Sequence, residues 1–441
     1  LGIFDQPVLC GPGSAKKDAD HVRFYGDQVA LVIAETEEIA QKASRLVGLE
    51  YEDLPILDDP RTAMQPGAFQ IHPDKEQNIL LHYKVRKGDV DEGFQDSDVI
   101  IESDYATPAQ EHAYLQPEAG ISNIDNEGRV TVVVGGQWAH EDQEQIAHAL
   151  NLPLEKVRVI YPAIGGAFGG REDMSVQIVL ALATLYLHQH GIQRPVKAVW
   201  SREESIIGHH KRHPYYIHTK WGVNKSGKLL AVETTLIADA GAYAYTSTKV
   251  QGNATLLSTG PYFVPNVKID SYSVYTNNIP NGAFRGFGGP QGCYAVEMQM
   301  NKLAEALKMD PVELRMLNAI QEGQPTATRT ALPKGISIET VMQECARTAG
   351  WEKTQAGWKL QNHPKTDDPD VVHGIGFAAG FKNVGFSFGA KENCWATVEL
   401  HGKTEIEKVI LHHAGADVGQ GSHSAFRQFA ASALNVDIEK V

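Results

Sequence analysis

Cysteine is scarce in this sequence. The 441 residues contain four cysteines, Cys10, Cys293, Cys345 and Cys394, and no two of them form a CxxC pair. Their number and their spacing argue against a disulfide-stabilised scaffold, a zinc ribbon or an iron–sulfur domain on this chain.

Long apolar runs and excess positive charge are also lacking. No stretch approaches the ~20 apolar residues that a membrane helix requires. The chain has 40 Lys and Arg residues against 54 Asp and Glu residues, a net charge of -14. Because a general nucleic-acid binder presents a basic surface, we expect neither a membrane nor a nucleic acid as a partner.

The remaining composition, 42% hydrophobic and 21% charged, is typical of a globular protein. At roughly 150 residues per domain, this length predicts about two to four domains. GFSFG (385–389) fits the letters of a GxSxG motif but is by itself interpreted as core or turn, and no Cys–His constellation and no DxD-type metal cluster stands out. Since its side chains alone do not suggest a self-sufficient active site, the sequence favours a cofactor for the difficult chemical step.

The N-terminal residues alternate between strand and helix patterns. Residues 26–34 are rich in β-forming side chains, and residues 36–48 have helical spacing with Thr36 as the N-cap. Residues 49–55 alternate again before a proline. The pattern predicts a small α/β unit, followed by a proline-containing linker over residues 56–78.

The longer region that follows has the same mixed character. Its strands are predicted at residues 99–108, 129–138 and 157–164, and its helices at residues 141–152, 174–190, 290–309 and 310–320. The last of these helices has Asp310 as its cap and Pro311 in its first turn. Residues 372–441 return to strands and end in a helix.

Two segments of the chain match each other at a constant offset of 284 residues. Residues 149–157 (ALNLPLEKV) and 433–441 (ALNVDIEKV) are identical at six of nine positions. Upstream of each, a strand, a Gly/Gln turn and a helix follow in the same order. With a one-residue indel, Gln137 and Gln420 fall at equivalent strand ends. The repeat predicts two related halves, with the natural protein continuing beyond Val441.

Two glycine-rich segments each lie between a strand and a helix. In GGAFGG (165–170) and AFRGFGGPQG (283–292), glycine lets the backbone approach a bound group, and the following helix N-terminus suits phosphate. GGAFGG is neither a GxGxxG fingerprint nor a P-loop. Each could be a ligand-cradling loop or only a tight turn; two of them together point to an extended, phosphate-bearing cofactor.

Other polar segments leave several interpretations open. GHHKRHP (208–214) could hold zinc through His209 and His213, bind an anion or substrate through Arg212, or form a solvated basic loop, which is favoured. The HExxH pattern is absent and Pro214 stops a helix, which argues against zinc. Glu172 is either a dipole-favourable residue at a helix start or a pocket carboxylate. In QEHAYLQPE (110–118), structural roles are favoured over functional ones.

The motifs together resemble a known family. IGGAFGGRE (164–172), RHP (212–214), AFRGFGGPQG (283–292) and DVGQG (417–421), in this order, resemble the xanthine dehydrogenase/aldehyde oxidase family of molybdenum hydroxylases. The chain looks most similar to the molybdopterin-binding subunit of xanthine dehydrogenases.

The resemblance implies an α+β fold in three parts. Residues 1–66 would be the C-terminal part of an α/β hammerhead domain. Residues 67–322 would be a first molybdopterin-binding domain. Residues 336–441 would be the truncated start of a second, related one.

The resemblance also implies cofactor-binding residues. Gln137 matches the glutamine that hydrogen-bonds the oxo group of molybdenum. Gly166, Phe168 and Gly169 match the loop whose backbone approaches the metal's ligands. Arg285 matches a cofactor-contacting arginine, and Gln420 matches a glutamine on the pterin. No direct protein ligand to molybdenum is implied, because the pterin dithiolene holds the metal near Gln137, Phe168 and Arg285.

Four residues match the family's substrate pocket. Glu172 and Arg212 match the two polar residues that orient a purine, and Phe287 and Phe388 would sandwich its ring. Aromatic walls suit a flat heteroaromatic ring through offset stacking. Arg212 would stabilise negative charge on the ring, and Gln137, Glu172 and Arg212 are the candidate catalytic residues. Family aldehyde oxidases usually carry an apolar residue where Glu172 stands, which favours a purine over an aldehyde.

The activity implied is hydroxylation of a ring carbon with a water-derived oxygen, as in a xanthine or hypoxanthine dehydrogenase. The alternatives are a hydroxylase of another N-heterocycle (nicotinate or quinoline) or of an aldehyde, and a non-catalytic cofactor-binding or assembly fragment. The catalytic base, a glutamate in the family, is expected beyond Val441, so the chain alone is expected to be inactive.

The cofactor implied is molybdenum with molybdopterin or its cytosine dinucleotide. Iron–sulfur clusters and FAD are expected on partner chains or on segments outside this sequence, in agreement with the low cysteine count. The remainder of the molybdenum subunit is a further expected partner. We expect a cytoplasmic dimer of multi-subunit protomers.

Overall fold

The structure is a computed structural model that describes residues 5–12, 18–361, 365–383 and 393–441. The helices formed by these residues are α1 (Glu37–Ser44), α2 (Pro60–Ala63), α3 (Val90–Gln95), α4 (Ala139–Leu150), α5 (Gln177–Gln189), α6 (Arg202–Gly208), α7 (Ser247–Leu257), α8 (Gly289–Leu307), α9 (Pro311–Asn318), α10 (Ile338–Thr348) and α11 (Ser422–Leu434).

The strands formed by the described residues are β1 (Ile79–Lys87), β2 (Val99–Thr107), β3 (Ala119–Ile124), β4 (Val130–Val134), β5 (Val157–Ile160), β6 (Val196–Val199), β7 (Lys211–Arg212), β8 (Tyr215–Val223), β9 (Leu229–Gly241), β10 (Asn266–Tyr275), β11 (Asn281–Gly282), β12 (Trp351–Thr354), β13 (Gly357–Leu360), β14 (Thr397–Gly402) and β15 (Ile406–His412).

The N-terminal unit keeps its predicted helix but not its predicted strands. α1 forms where the pattern placed it, and the Thr36 side chain accepts a hydrogen bond from the Ile39 N–H at 3.3 Å. The strands predicted over 26–34 and 49–55 are wrong, because both segments are irregular. A strand needs a partner for its backbone N–H and C=O groups, and no ladder among the described residues includes these segments.

The largest sheet has five strands in the order β1-β10-β9-β8-β2. β9 and β10 run parallel, whereas the other neighbours are antiparallel. One face buries alternate side chains such as Trp221 and Leu236 against α8, whose Met300 and Leu303 are fully buried. Each fully buried apolar side chain of this size contributes about 1.5–3 kcal/mol to folding.

A second sheet has four strands in the order β5-β4-β3-β6. α4 and α5 cover it, and Val132, Ile146 and Leu180 lie in the core between them. α5 is apolar on most sides, which is typical of a buried helix. The loop from β5 to α5 contains GGAFGG, so this sheet positions the first glycine-rich segment.

The C-terminal part attaches to the larger sheet through α9. α10 and the hairpin β12–β13 pack on α9 with Trp351 and Trp358 buried. Asp310 caps α9 as predicted, since its side chain accepts from the Val312 N–H at 2.8 Å. Further along the chain, β14 and β15 form a hairpin that precedes α11.

The internal repeat has the same local structure in both copies. Asn151 ends α4 with φ 52° and ψ 46°, and Asn435 ends α11 with φ 52° and ψ 48°. Both are left-handed, a conformation that asparagine tolerates better than most residues. A short 3-10 turn follows each asparagine. Gln137 and Gln420 each lie two residues before the first residue of the helix, so the two halves share this feature.

Among the described residues, no helix combines the length and the apolar character that crossing a membrane requires.

Candidate active site

Three glycine-rich loops from distant parts of the chain meet at one place. The loop of residues 165–170 follows β5, that of residues 283–288 precedes α8, and that of residues 417–421 precedes α11. The backbone N–H of Arg285 donates a hydrogen bond to the carbonyl oxygen of Phe168 at 2.8 Å. This bond joins the first two loops into one continuous surface.

Glycine is required where these loops touch. Gly169 has φ +100°, and a Cβ there would lie 2.8 Å from the carbonyl oxygen of Ala283. Gly419 has φ +101°, and a Cβ there would lie 2.9 Å from the Cα of Gly166. Both contacts are with backbone that cannot rotate away, so a larger residue at either position would separate the loops.

The loops surround a cavity of about 710 Å³. Seven of the ten predicted site residues line it: Gly166, Phe168, Gly169, Glu172, Arg285, Phe287 and Gln420. Its other lining residues are Trp138, Asn253, Phe284, Gly286, Lys382, Val418 and Gly419. A larger cavity of about 1080 Å³ shares Trp138 and Glu172 with it, so Glu172 lies between the two.

Gln137 and Glu172 form a polar pair beside the cavity. The Gln137 backbone N–H donates to the carbonyl of Arg171 at 3.0 Å, and Gln137 Nε2 donates to Glu172 Oε1 at 3.4 Å. Burial, helped by the nearby charge of Asp173, raises the pKa of Glu172 to about 8. The carboxyl is therefore largely protonated at neutral pH and can donate a hydrogen bond.

Arg212 lies beside the cavity and not in its lining. Its Cζ is 3.9 Å from the ring centroid of Phe284, and its Nη2 donates to the carbonyl of Arg285 at 2.8 Å. Its Nε donates to Gln110 Oε1 at 3.1 Å. These contacts make Arg212 a support for the loop that carries Arg285. Its contact with substrate stays a prediction.

The segment around Arg212 is more buried than the sequence indicated. His209, His210, Lys211 and His213 are all nearly inaccessible, so the favoured interpretation of a solvated basic loop is wrong. These side chains pack beneath the loop of residues 283–288, where His210 Nε2 lies 3.0 Å from the carbonyl oxygen of Ala283.

The aromatic wall of the cavity differs partly from the predicted one. Phe287 lines the cavity as expected, whereas Phe388 lies outside the described residues. Phe284, which was not among the predicted site residues, also lines it and stacks on His112 with ring centroids 4.3 Å apart. Phe284 is thus held between His112 and Arg212.

Gln420 and Arg285 approach the cavity differently. The Gln420 side chain turns back on its own loop, accepting from the Val418 N–H at 2.6 Å and donating to the Ala416 carbonyl at 2.9 Å. The Arg285 guanidinium is exposed and, within the described part of the chain, has no hydrogen-bond or ion-pair partner. It is therefore available to an anionic group.

A family model described as "Molybdopterin cofactor-binding domain" matches residues 71–319, more than half of the chain. The chain belongs to the molybdenum hydroxylase family. A second model of the same description matches residues 344–441. A third, "Aldehyde oxidase and xanthine dehydrogenase, a/b hammerhead domain", matches residues 15–55. The predicted fold, a hammerhead portion followed by two molybdopterin-binding domains, is confirmed.

Relatives in this family are oxidoreductases. The chain is 42% identical over 357 residues to a nicotinate dehydrogenase large molybdopterin subunit of Eubacterium barkeri, covering 80% of each chain. It is 33% identical over 448 residues to a probable xanthine dehydrogenase subunit of Bacillus subtilis (strain 168), covering all of this chain and 55% of that protein. The chain thus spans only about half of the xanthine dehydrogenase relative.

A solved structure in the family has the same architecture. The aldehyde oxidoreductase of Desulfovibrio gigas matches with a TM-score of 0.69 and 28% identity, over 74% of this chain and 35% of that one. The match supports the arrangement of sheets and loops that forms the cavity.

The residues present fit the family's cofactor, molybdopterin with molybdenum. The close glycine contacts bring loop backbone to the edge of the cavity. Gln137 Oε1 and Asn253 Oδ1 are buried and have no hydrogen-bond partner among the described residues. The N-terminus of α8 and the Arg285 guanidinium beside it suit phosphate. Gln137, Phe168, Gly169 and Arg285 would hold the group.

Sequence reasoning missed Asn253 as a site residue. It lies in the middle of α7, where a polar side chain in a mostly buried helix gives no motif. Lys382 and Trp138 also line the cavity without having been predicted. A buried amide without a partner was the only available signal, and it becomes visible only in the folded chain.

Proposed function

We propose that this chain is the cofactor-binding part of a molybdenum hydroxylase that oxidises a ring carbon of an N-heteroaromatic substrate. The observation that carries the proposal is Glu172, a largely protonated carboxyl at the junction of two cavities and next to the glycine-rich loops. The chemistry that molybdopterin supplies when bound is two-electron oxidation of the substrate carbon with a water-derived oxygen.

The chain's own residues bind and orient the ring. The Glu172 carboxyl donates a hydrogen bond to a ring nitrogen or carbonyl, and Gln137 holds that carboxyl through its amide. The rings of Phe284 and Phe287 provide apolar faces for offset stacking. The Asn253 amide oxygen accepts a hydrogen bond from the cofactor or the substrate. Such a site combines apolar walls with a few placed polar groups.

The leading substrate in this proposal is a pyridine carboxylate such as nicotinate. Its support is the 42% identity to a nicotinate dehydrogenase subunit over most of both chains. Arg285 and Lys382 line the cavity and carry positive charges that suit a carboxylate. The protonated Glu172 carboxyl adds a hydrogen-bond donor for the pyridine nitrogen on the same cavity wall.

A purine is the second candidate substrate. Glu172 favours it, since a family aldehyde oxidase usually has an apolar residue there, and so does the xanthine dehydrogenase relative. Xanthine and hypoxanthine offer ring N–H and carbonyl groups that pair with a carboxyl. In this case Arg212 would have to turn from the Arg285 carbonyl towards the ring.

The electrons leave through partners in this proposal. Iron–sulfur clusters and FAD lie on other chains or segments, and the catalytic glutamate lies in the remainder of the molybdenum domain. The cofactor is molybdopterin or its cytosine dinucleotide, and the complex is a cytoplasmic dimer of multi-subunit protomers.

The test uses the assembled, molybdenum-loaded complex that contains this chain. Turnover of nicotinate, xanthine, hypoxanthine and a simple aldehyde is followed with a redox dye, beside analysis of molybdenum and pterin. We expect nicotinate to be oxidised fastest, and Glu172→Ala, which removes the hydrogen-bond donor, to reduce its kcat/KM by about tenfold, the effect of one lost hydrogen bond.

Other outcomes decide against parts of the proposal. Faster oxidation of xanthine would assign the second candidate. Turnover of the aldehyde alone, with the activity of Glu172→Ala unchanged, would overturn N-heteroaromatic specificity. An active complex without stoichiometric molybdenum would overturn the catalytic proposal as a whole.

A further inference from the structure

A buried cluster of two histidines and one carboxylate lies behind the cavity wall. His112 Nδ1 is 3.2 Å from His209 Nε2, and Glu111 Oε1 is 3.3 Å from the same His209 nitrogen. All three atoms lie within 4.8 Å of one another. His112 and His209 are almost fully buried, whereas the Glu111 side chain keeps 22% of its surface exposed.

The backbone determines which nitrogen of each histidine carries its hydrogen. His112 Nε2 lies 2.7 Å from the carbonyl oxygen of Ala283, and His209 Nδ1 lies 2.5 Å from that of Ser205. A carbonyl oxygen only accepts, so both of these nitrogens donate. Lys211 Nζ lies 3.4 Å from His209 Nδ1, but that nitrogen is already the donor to the nearer oxygen.

The two remaining nitrogens therefore face each other with lone pairs. His112 Nδ1 and His209 Nε2 are 3.2 Å apart, and in neutral rings no hydrogen lies between them. The carboxylate of Glu111 adds a third electron-rich atom. Three such atoms in contact repel one another unless a cation lies between them.

The spacing fits a metal ion. Zinc bonds to nitrogen and oxygen are about 2.0–2.1 Å, and the edge of the corresponding tetrahedron is about 3.3 Å. The two measured separations, 3.2 and 3.3 Å, match that edge.

The surroundings are also those of a metal site. Ligating histidines usually donate their other ring N–H to a carbonyl, as both rings do here. The second oxygen of Glu111 forms an ion pair with Lys211 at 2.8 Å. Other charges nearby are Glu118, whose Oε1 is 3.9 Å from His209 Nδ1, and Arg171, which pairs with Glu118 at 3.7 Å. The negative charges of the acidic side chains around the cluster are balanced by the positive charges of the basic ones.

We propose that Glu111, His112 and His209 bind one zinc ion. The fourth position, towards the exposed side of Glu111, is left for water. Through His112 and the Ala283 carbonyl, the ion stabilises the loop of residues 283–288 that carries Arg285 and Phe287. The site is separate from the molybdenum cofactor and does not depend on the substrate proposed above.

The test is zinc binding by the full chain after treatment with a chelator. We expect one zinc per chain by elemental analysis, a rise in melting temperature on adding zinc, and the visible absorption of tetrahedral cobalt when Co²⁺ replaces it. His209→Gln and Glu111→Gln should each weaken zinc binding by at least about 100-fold.

His218→Gln is the matched control. His218 lies on the surface with Glu102 at 3.0 Å and Asp104 at 2.9 Å, a similar set of groups in an exposed place. This variant should bind zinc like the wild type. Circular dichroism establishes that each variant is folded, and Glu111→Gln provides the answer if His209→Gln does not fold.

Two results would overturn the zinc site. One is a folded wild-type chain that takes up no stoichiometric zinc. The other is unchanged binding in folded Glu111→Gln together with loss in His218→Gln. Molybdenum content, measured on the same samples, reports separately on the catalytic proposal.

Discussion

The backbone N–H of Arg285 donates to the carbonyl oxygen of Phe168 across 2.8 Å, although the two residues are 117 positions apart in the chain. The bond closes the contact between the first two glycine-rich loops. It also sets the side chains of Phe168 and Arg285 on the same cavity. The proposed cofactor site therefore depends on a backbone contact that the adjacent Gly169 allows, since a side chain there would meet the backbone of Ala283 and Phe284.

The first prediction concerns Gly169, which lies against that contact. In Gly169→Ala, the new Cβ meets the backbone of Ala283 and Phe284 below 3.0 Å at φ +100°. We expect a cost of about 3 kcal/mol or more, from left-handed strain and a clash together, and loss of molybdopterin. Melting temperature and pterin content measure the two effects.

Gly128→Ala is the control for this prediction. Gly128 has φ +72°, but no atom lies within 4 Å of the position that a methyl group would take there. The substitution should cost only the backbone strain of about 1–2 kcal/mol and keep the pterin. Equal effects of the two substitutions would contradict the role given to the loop contact.

The second prediction is a pH-dependent stability due to Glu172. Its pKa rises from 4.5 to about 8 on folding, so the folded chain binds the proton more tightly. The stabilisation is complete below about pH 4.5 and is lost as the pH rises to about 8. The fall in melting temperature between about pH 6.5 and about pH 8.5 should be smaller in cofactor-free Glu172→Gln than in the wild type.

Other titratable groups contribute to the same dependence of stability on pH. Burial raises the pKa of Asp142 to about 7, so part of the decline remains in the variant. His213, whose pKa burial lowers to about 3, destabilises the fold only below its ordinary value of 6.5. The exposed Glu155→Gln is the control and should follow the wild type. If the melting temperature of Glu172→Gln fell with pH as steeply as that of the wild type, Glu172 would already be ionised in the folded wild-type chain over this pH range.

The third prediction concerns Asn253. In the loaded complex, Asn253→Ala should raise KM for the heterocycle about tenfold, the effect of one lost hydrogen bond, with melting temperature nearly unchanged. Asn253→Asp should impair nicotinate more than xanthine, because it adds a negative charge near a negative substrate. Steady-state kinetics with both substrates measures this, and unchanged KM values in both variants would place Asn253 outside the site.

The fourth prediction concerns a buried ion pair in the first molybdopterin-binding domain, whose carboxylate also accepts a hydrogen bond from the C-terminal part of the chain. Arg315 is inaccessible, its Nε donates to Glu297 Oε2 at 2.8 Å, and the same oxygen accepts from the Ala379 N–H at 3.0 Å. Arg315→Met leaves Glu297 buried without its cation, which should cost about 3–5 kcal/mol. Thermal and urea unfolding measure the loss.

Lys268→Met is the surface control for that pair. Lys268 Nζ lies 2.6 Å from Glu233 Oε1, and the two side chains are 40% and 35% exposed. Its removal should cost no more than about 1 kcal/mol. A cost as large as that of Arg315→Met would show that burial is not the cause.

Much of the site could be predicted because it consists of local motifs. The GGAFGG, AFRGFGG and DVGQG segments require glycine for their backbone conformation. Their residue types therefore predict their local backbone geometry. The repeat could be recognised for the same reason, since Asn151 and Asn435 end their helices in one left-handed conformation. Seven of the residues selected in this way line a single cavity.

Contacts between distant segments could not be predicted. The four-residue spacing of His209 and His213 suggested that the two could share a ligand. In the structure, His213 Nε2 lies 2.8 Å from Ser247 Oγ, and His209 faces His112 instead. The strands expected at 26–34 and 49–55 did not form, because their β-rich side chains found no neighbouring strand among the described residues.

The sequence by itself determined the family, the order of the domains and the glycine-rich loops, since each depends on residue types at short spacing. Only the tertiary structure decided that Arg212 supports a loop, that Asn253 faces the cavity, and that Glu111, His112 and His209 converge. The physical reason is that side-chain neighbours and burial depend on which sheets and helices pack together, and that packing joins residues that are far apart in the chain.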